Sequence, residues 1–211
     1  MWTGAARGSR ILLFALLLGA CGAQLAPMRK VAAPGRSLAG PPPEGRARVV
    51  FFVVDERSFD FGSPSDAFYV IDEKGGVLGA LEWGSWFAID LPAGEHAFFE
   101  WSPWTPNLLG PQVNAAMKAS LAAGRTYEVQ LTTGPRPFYR SAVLPHFAAV
   151  APDEARLATL IPLEIDPASA SRWAESHADS LRARVAEGQA RLARGDYARL
   201  GEPPAGASTA Q

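Results

Sequence analysis

Apolar residues recur at every second position through much of the chain between residues 46 and 150. The run Val49–Val54 is continuous, β-branched and aromatic, which is typical of a strand buried on both faces. Further strands are predicted at 67–71, 77–81, 83–91, 95–101, 113–121 and 125–131, with a weaker one at 139–143. About seven or eight short strands separated by turns predict a mainly β fold, an antiparallel β-sandwich over residues 46–150.

The apolar period becomes helical after residue 152. The pattern predicts a short helix at 153–160 and a long helix over 168–194, with Leu163 and Ile165 between them as an edge strand or a packed coil. Residues 151–200 are therefore expected to form a helical extension of the β domain, and residues 201–211 a disordered tail.

The long helix has clear start and stop signals but a thin apolar stripe. Asp166 can accept hydrogen bonds from the free amides of the first turn, and Pro167 suits the first helical position. Gly195 suits the left-handed conformation that follows many helices. Because few of its side chains besides Trp173 can bury much area, we expect a loosely attached helix with a solvated, arginine-rich face. Binding of a partner or of an anionic envelope surface is the alternative for that face.

The first 20 residues have the features of a secretory signal peptide. Arg7 and Arg10 precede an apolar run at 11–18, and no acidic residue lies nearby. The run is shorter than the roughly 20 apolar residues that a membrane-spanning helix needs. The pattern therefore predicts export and removal of residues 1–20.

The motif Leu18-Gly19-Ala20-Cys21 resembles the bacterial lipobox. The resemblance implies cleavage before Cys21, transfer of diacylglycerol to its thiol, and acylation of the new amino group with a fatty acid such as palmitate. Two or more acyl chains, at about 0.8 kcal/mol per buried CH₂, anchor a protein stably. Cys21 is the single cysteine of the chain. The alternative is an ordinary signal peptide followed by an unrelated cysteine.

The residues after Cys21 indicate which membrane holds the protein and how far the folded domain lies from the lipid. In lipoproteins of Gram-negative bacteria, an Asp directly after the lipidated cysteine is the signal for retention in the inner membrane. This chain has Gly22 at that position, and the resemblance therefore implies transport to the periplasmic face of the outer membrane. A Gram-positive cell surface is the alternative. Residues 22–45 are rich in Pro and Gly and include Pro41–Pro43. Consecutive prolines favour extended polyproline II geometry, so residues 21–45 are predicted to be the lipidated cysteine and its tether.

Several motifs between residue 46 and about residue 150 resemble a domain of unknown function in bacterial lipoproteins, itself similar to PEGA-type sandwiches. The matching segments after the first strand are Gly76–Leu81, Gly84–Phe87, Pro92–His96 and Ala123–Tyr127. The family pattern usually has a second proline where Ala93 stands. The resemblance implies a transthyretin- or PEGA-like sandwich and specifies no reaction.

Composition narrows the classes of function. The chain has 211 residues, of which 48% are hydrophobic and 19% charged, as expected for a folded protein. Its formal net charge of −1 provides no general attraction to nucleic acid. No glycine-rich loop opens a helix, so no nucleotide or other cofactor is predicted.

Candidate catalytic and metal-binding residues do not form a recognised pattern. His96, His146 and His177 lack the spacing of metal ligands. Ser85, Asp90 and His96 have the residue types of a catalytic triad, but Ser85 and Asp90 are five apart on one strand and so face opposite sides. We therefore predict neither a metal site nor catalytic chemistry.

Tryptophans are the most suggestive binding residues. Trp86, Trp101 and Trp104 at strand ends could form a platform that stacks on sugar or peptide, although aromatic residues also dominate sandwich cores. The leading prediction is a non-enzymatic envelope accessory protein or protein-interaction module. The alternative is a carbohydrate- or peptidoglycan-binding lipoprotein that uses exposed tryptophans, and an enzyme of unknown type is the third.

Overall fold

The computed structural model describes residues 28–31, 40–54, 67–101, 113–134 and 144–201. Within these ranges the chain is mainly β and forms eleven strands and three helices. The strands are β1 (Met28–Lys30), β2 (Arg46–Val53), β3 (Phe68–Asp72), β4 (Val77–Leu81), β5 (Ser85–Pro92), β6 (Gly94–Trp101), β7 (Val113–Leu121), β8 (Thr126–Gly134), β9 (Leu144–Val150), β10 (Ile161–Ile165) and β11 (Ala198–Leu200). The helices are α1 (Glu154–Leu157), α2 (Pro167–Ser176) and α3 (Ala178–Arg194).

The strands form two sheets, and both sheets are mixed. The first sheet has the order β1-β10-β5-β2-β8-β9, and the second has the order β11-β7-β6-β3-β4. Three pairs run parallel: β2 with β8, β10 with β5, and β11 with β7. The expected purely antiparallel arrangement is therefore wrong. Alternation of apolar residues buries one face of a strand whichever way its neighbour runs, so the pattern could not specify direction.

Side chains from both sheets share one core. Phe51 of the first sheet stacks on Phe87 and meets Phe98 of the second sheet edge to face, with ring centroids 5.3 Å apart in each pair. Met117 of the second sheet belongs to the same cluster and is fully buried. Each buried large side chain stabilises the fold by roughly 1.5–3 kcal/mol, so this core is the main stabilising feature.

The helices α2 and α3 cover the outer face of the second sheet. Ile71 and Phe99 on that face are fully buried and form a second cluster with Leu181 of α3, which is 4% exposed. The expectation of a loosely attached helix is therefore wrong. Phe98 and Phe99 point to opposite faces of β6, so the second sheet is apolar on both sides and needs a covering layer.

The predicted long helix is two helices, because the chain breaks at His177 between α2 and α3. His177 has φ −117° and ψ 16°, outside the helical range. The Ser176 hydroxyl donates to the Trp173 carbonyl, and His177 Nδ1 lies 2.8 Å from the same oxygen. Such side-chain bonds compete with the helical ladder. The predicted ends are confirmed: Asp166 accepts a hydrogen bond from the Ala168 amide, and Gly195 has φ 78°.

Residues outside the predicted β domain contribute strands to both sheets. Within the predicted tether, β1 pairs with β10. Within the predicted helical extension, β10 lies between β1 and β5 instead of at a sheet edge, and β11 pairs with β7. The weak strand predicted at 139–143 lies outside the described residues, and the described strand that follows it is β9. Of the predicted tail at 201–211, the structure describes Gly201 alone.

A short helix covers the outer face of the first sheet. The helix predicted at 153–160 is confined to α1, where the Asp153 carboxylate accepts hydrogen bonds from two amides of the first turn. Leu157 and Leu160 pack on Phe52 and Trp86 of the sheet.

Each strand runs between the same two ends of the sheets. We call these the Ser85 end and the Pro92 end, after the first and last residues of β5. At the Pro92 end, tight turns at 92–94 and 122–125 carry the chain from one sheet to the other. At the Ser85 end, β2 and β6 reach their last residues, and β3 and β7 begin.

Candidate functional site

The residues of the predicted lipobox lie outside the described residues. These are Leu18, Gly19, Ala20 and Cys21, and Trp104 also lies outside. The described chain begins at Met28, the first residue of β1. The structure therefore shows how the segment after the predicted lipobox, β1, is attached to the fold.

Backbone pairing and one apolar side chain attach β1 to the fold. Met28 lies opposite Ile165 and packs against both apolar clusters that border the second sheet. The Val31 amide donates to the Pro162 carbonyl at 3.2 Å. Two ion pairs join Arg29 to Glu164 at 2.8 Å and Lys30 to Glu82 at 2.6 Å. Exposed ion pairs contribute about 0–1 kcal/mol, so the backbone ladder and Met28 are the principal attachment.

Trp86 and Trp101 are buried. Their exposed fractions are 2% and 5%. Trp86 lies under α1, and Trp101 packs against Trp173 of α2. The expectation that these two rings form an exposed platform is wrong. The helices α1 and α2 pack on the outer faces of the two sheets and cover the rings, and the pattern of the strands alone did not predict this packing. This removes the observation on which glycan stacking by these residues was based.

Four aromatic side chains form a cluster between the second sheet and α2, which we call the aromatic cluster: Tyr69, Trp101, Trp173 and His177. Trp173 stacks on Tyr69 at 4.5 Å and on His177 at 4.2 Å, and both interplanar angles are 14°. Trp101 lies 5.7 Å from Trp173 and 5.6 Å from Tyr69. Aromatic pairs add about 0.5–1.5 kcal/mol each beyond the area that they bury. The aromatic cluster therefore fixes α2 on the sheet.

The aromatic cluster lies at the Ser85 end and reaches the surface at two residues. Tyr69 pairs with Trp101 across β3 and β6, close to where β3 begins and β6 ends. Tyr69 and Trp101 are buried, whereas Trp173 and His177 are half-buried. Sequence reasoning identified Trp173 as a docking residue and, from the four-residue spacing, placed His177 on the same helix face, but it missed Tyr69.

Two ionisable groups near α2 have shifted pKa values. Burial raises the pKa of the Tyr69 hydroxyl above its ordinary value of 10.0, and a hydrogen bond from the Trp173 side chain offsets part of that effect. The Ser169 hydroxyl, followed in effect by the backbone bonds of the first turn, holds the pKa of Asp166 below its ordinary value. The aromatic cluster is therefore neutral at Tyr69 at physiological pH, and the start of α2 carries a carboxylate.

Two buried charges elsewhere, Arg48 and Glu128, are paired within the fold. Arg48 donates to both carboxylate oxygens of Asp90, with the closer contact at 2.9 Å. Glu128 is 3% exposed, pairs with Arg156, and accepts from the Asp153 amide at 2.9 Å. These bonds hold β5 and α1 in place, so we assign them a structural role.

The residues weighed for catalysis and metal binding are not brought together. The Ser85 hydroxyl donates to the Glu82 carbonyl at 2.6 Å, and His96 Nε2 lies 2.8 Å from the Pro92 carbonyl oxygen. Among the described residues, no three His, Cys, Asp or Glu side chains are grouped as they would be around a metal ion. No helix within the described ranges is long and apolar enough to cross a membrane.

Comparisons with protein-family models, with curated proteins and with solved structures found no match.

Proposed function

We propose that the protein is a lipid-anchored lipoprotein on the periplasmic face of the outer membrane. The observation that carries this proposal is the motif Leu18-Gly19-Ala20-Cys21 directly after a basic segment and an apolar run. A signal peptide would target the chain for export, and diacylglycerol on the Cys21 thiol would retain it at the membrane.

The fold that we assign to the exported part is a β-sandwich of the PEGA or transthyretin kind. Two features support the assignment. The two sheets share an apolar core, and the turn motifs around Pro92 and Gly124 resemble those of PEGA-type domains. Gly124 has φ 75°, a left-handed conformation that glycine adopts without steric cost and other residues rarely adopt.

The activity that we propose for this domain is non-enzymatic binding of another envelope protein. The aromatic cluster supports a protein partner better than a glycan, because the half-buried Trp173 is already stacked on Tyr69 and on His177. Tryptophan is enriched among the residues that dominate the binding energy of protein interfaces. Arg172 and Glu175 flank Trp173 on the exposed side of α2 and would form the rim of such an interface.

The lipid anchor is tested by replacing Cys21 with serine. Cells that express the full chain are labelled with palmitate and fractionated. The wild type should carry label and sediment with outer membranes, whereas Cys21→Ser should accumulate as an unlabelled precursor. Gly22→Asp is the matched control: it should keep the label and move to the inner membrane. Undiminished labelling of Cys21→Ser would refute the proposal.

The interaction proposal is tested by charge reversal beside the aromatic cluster. Crosslinking in intact cells, followed by purification of the lipoprotein, should recover a partner from wild type. The double variant Arg172→Glu, Glu175→Arg should recover less of it. Lys74→Glu, an exposed change in the β3–β4 turn, should recover as much as wild type. Equal recovery from both variants would argue against this surface.

A further inference from the structure

The attachment of β1 shortens the tether between the lipid and the folded domain. If the tether extended over residues 22–45, its fully extended length would be roughly 80 Å. Because Met28 already pairs with Ile165, six residues remain between Cys21 and the fold. Seven Cα–Cα intervals span about 25 Å at full extension. The lipid anchor would therefore hold Met28 within about 25 Å of the membrane.

The direction of β1 shows which end of the molecule the tether approaches. Ile161 of β10 lies beside Ser85, and β10 runs parallel to β5 toward the Pro92 end. Since β1 is antiparallel to β10, Met28 is the residue of β1 nearest the Pro92 end. The amino end of β1 therefore points toward the Pro92 end.

Distances along the first sheet favour the same end. The eight residues of β2 make the sheet about 23 Å long. Ile165 lies four residues along β10 from the Ser85 end, which leaves about 10 Å to the Pro92 end. To bring the Ser85 end to the membrane, the chain before Met28 would have to reverse and run beside β1 for about 13 Å. That path needs about 13 Å of the roughly 25 Å reach and a reversal of the chain, whereas the Pro92 end needs about 10 Å and no reversal.

We infer that the Pro92 end lies against the bilayer that holds the acyl chains of Cys21, and that the Ser85 end points away. This inference rests on the proposed lipid anchor. It places the half-buried Trp173 and His177 on the side of the molecule that faces away from the lipid. The partner surface is then accessible to proteins of the periplasm.

Energy transfer to labelled lipids tests this orientation in the full lipidated protein. One thiol is introduced at the Pro92 end by Ala93→Cys, and in a second variant one is introduced at the Ser85 end by Ile161→Cys; both positions are exposed. Each protein carries a donor dye and is reconstituted in phosphatidylethanolamine–phosphatidylglycerol vesicles with an acceptor on the headgroup. Transfer should be more efficient from Ala93→Cys. Equal transfer, or more efficient transfer from Ile161→Cys, would overturn the inference.

A matched pair of insertions tests the role of β1. Fifteen Gly and Ser residues add roughly 20 Å of root-mean-square reach. Inserted between residues 27 and 28, they should lower transfer from Ala93→Cys and reduce the difference between the two reporters. Inserted between residues 31 and 32, they should change neither value, because β1 still fixes the distance from Cys21 to the fold. Equal effects of the two insertions would show that β1 is not the attachment point.

Failure of the anchor itself would be visible in the same samples. Cys21 is the single cysteine, and in a lipoprotein its sulfur is blocked by a thioether bond to diacylglycerol. The protein without an introduced thiol should therefore take no maleimide dye and should float with vesicles. Dye uptake at Cys21, or failure to float, would refute the lipid anchor and with it the inference. Equal energy transfer in a protein that floats would refute the orientation alone.

Discussion

Replacing Gly188 with alanine has two opposing effects on the free energy of unfolding, one from helix propensity and one from packing. Glycine inside a helix is less favourable than alanine by about 0.8–1.0 kcal/mol, so the substitution would stabilise an exposed helix. In this fold, however, a Cβ at Gly188 would lie 2.5 Å from Cγ and 2.6 Å from Cε1 of the Phe99 ring. Phe99 is fully buried between the sheet and the helix, so the ring has little room to move.

The expected change in the free energy of unfolding is the packing cost less the gain in helix propensity. Extra atoms in a well-packed core cost typically about 1–3 kcal/mol. After subtracting the gain in helix propensity, we expect Gly188→Ala to destabilise the protein by up to about 2 kcal/mol. A loosely attached helix would instead give stabilisation of about 1 kcal/mol. The two accounts therefore differ in sign.

Urea unfolding of the unlipidated chain, residues 21–211 with Cys21→Ser, measures this difference. Circular dichroism follows the helices, and tryptophan fluorescence follows the packing around α2. Ala190→Gly, at an exposed position of the same helix, is the control and should cost about 1 kcal/mol from propensity alone. If Gly188→Ala raises the free energy of unfolding by as much as Ala190→Gly lowers it, the packing of α3 on Phe99 is refuted.

Three further predictions concern the helical layers and one buried tyrosine. Ending the chain after Asp166 removes α2, α3 and β11 and exposes the apolar outer face of the second sheet, so thermal melts should lose their cooperative transition; a retained transition would show that the sheets fold without this layer. Arg156→Leu leaves the Glu128 carboxylate buried without its ion partner and should cost roughly 3 kcal/mol in urea titrations, and adding Glu128→Gln should recover part of that loss. No recovery in the double variant would contradict the pairing. Burial raises the pKa of Tyr69, so its contribution to stability is complete below pH 10.0 and is lost as the pH rises through the higher folded-state value. Melts at increasing alkaline pH should therefore show Tyr69→Phe losing less stability than wild type, and equal losses would contradict the shift.

The local features of the fold were readable from the sequence because each depends on few residues. A continuous apolar run predicted β2, and apolar patterns between turns predicted β3 to β8. The Asp166 cap and the Gly195 stop were also predicted correctly, because each end depends on one residue and its nearest amides or carbonyls. The same reasoning identified Trp173 as the residue that fixes α2.

The long-range features were not readable from local pattern. Parallel pairing of β2 with β8 depends on how the two sheets connect, and the apolar period is the same in either direction. The strands β1 and β11 have three residues each, too few for a period to be recognised. One signal was available but was not used: neighbouring apolar residues such as Phe98 and Phe99 imply burial on both faces of β6. That pattern would have predicted a helical layer and, with it, the burial of Trp101.

We propose that Cys21 carries lipid at the new N-terminus of the chain. Mass spectrometry of the purified wild-type protein, digested to its N-terminal peptide, tests it most directly. Arg29 is the first basic residue after the predicted cleavage site, so trypsin should release a peptide that begins at Cys21. We predict that this peptide is heavier than its sequence mass by a diacylglycerol group and an acyl group. A peptide that begins at Cys21 without added mass, or that retains residues 11–20, would contradict the account.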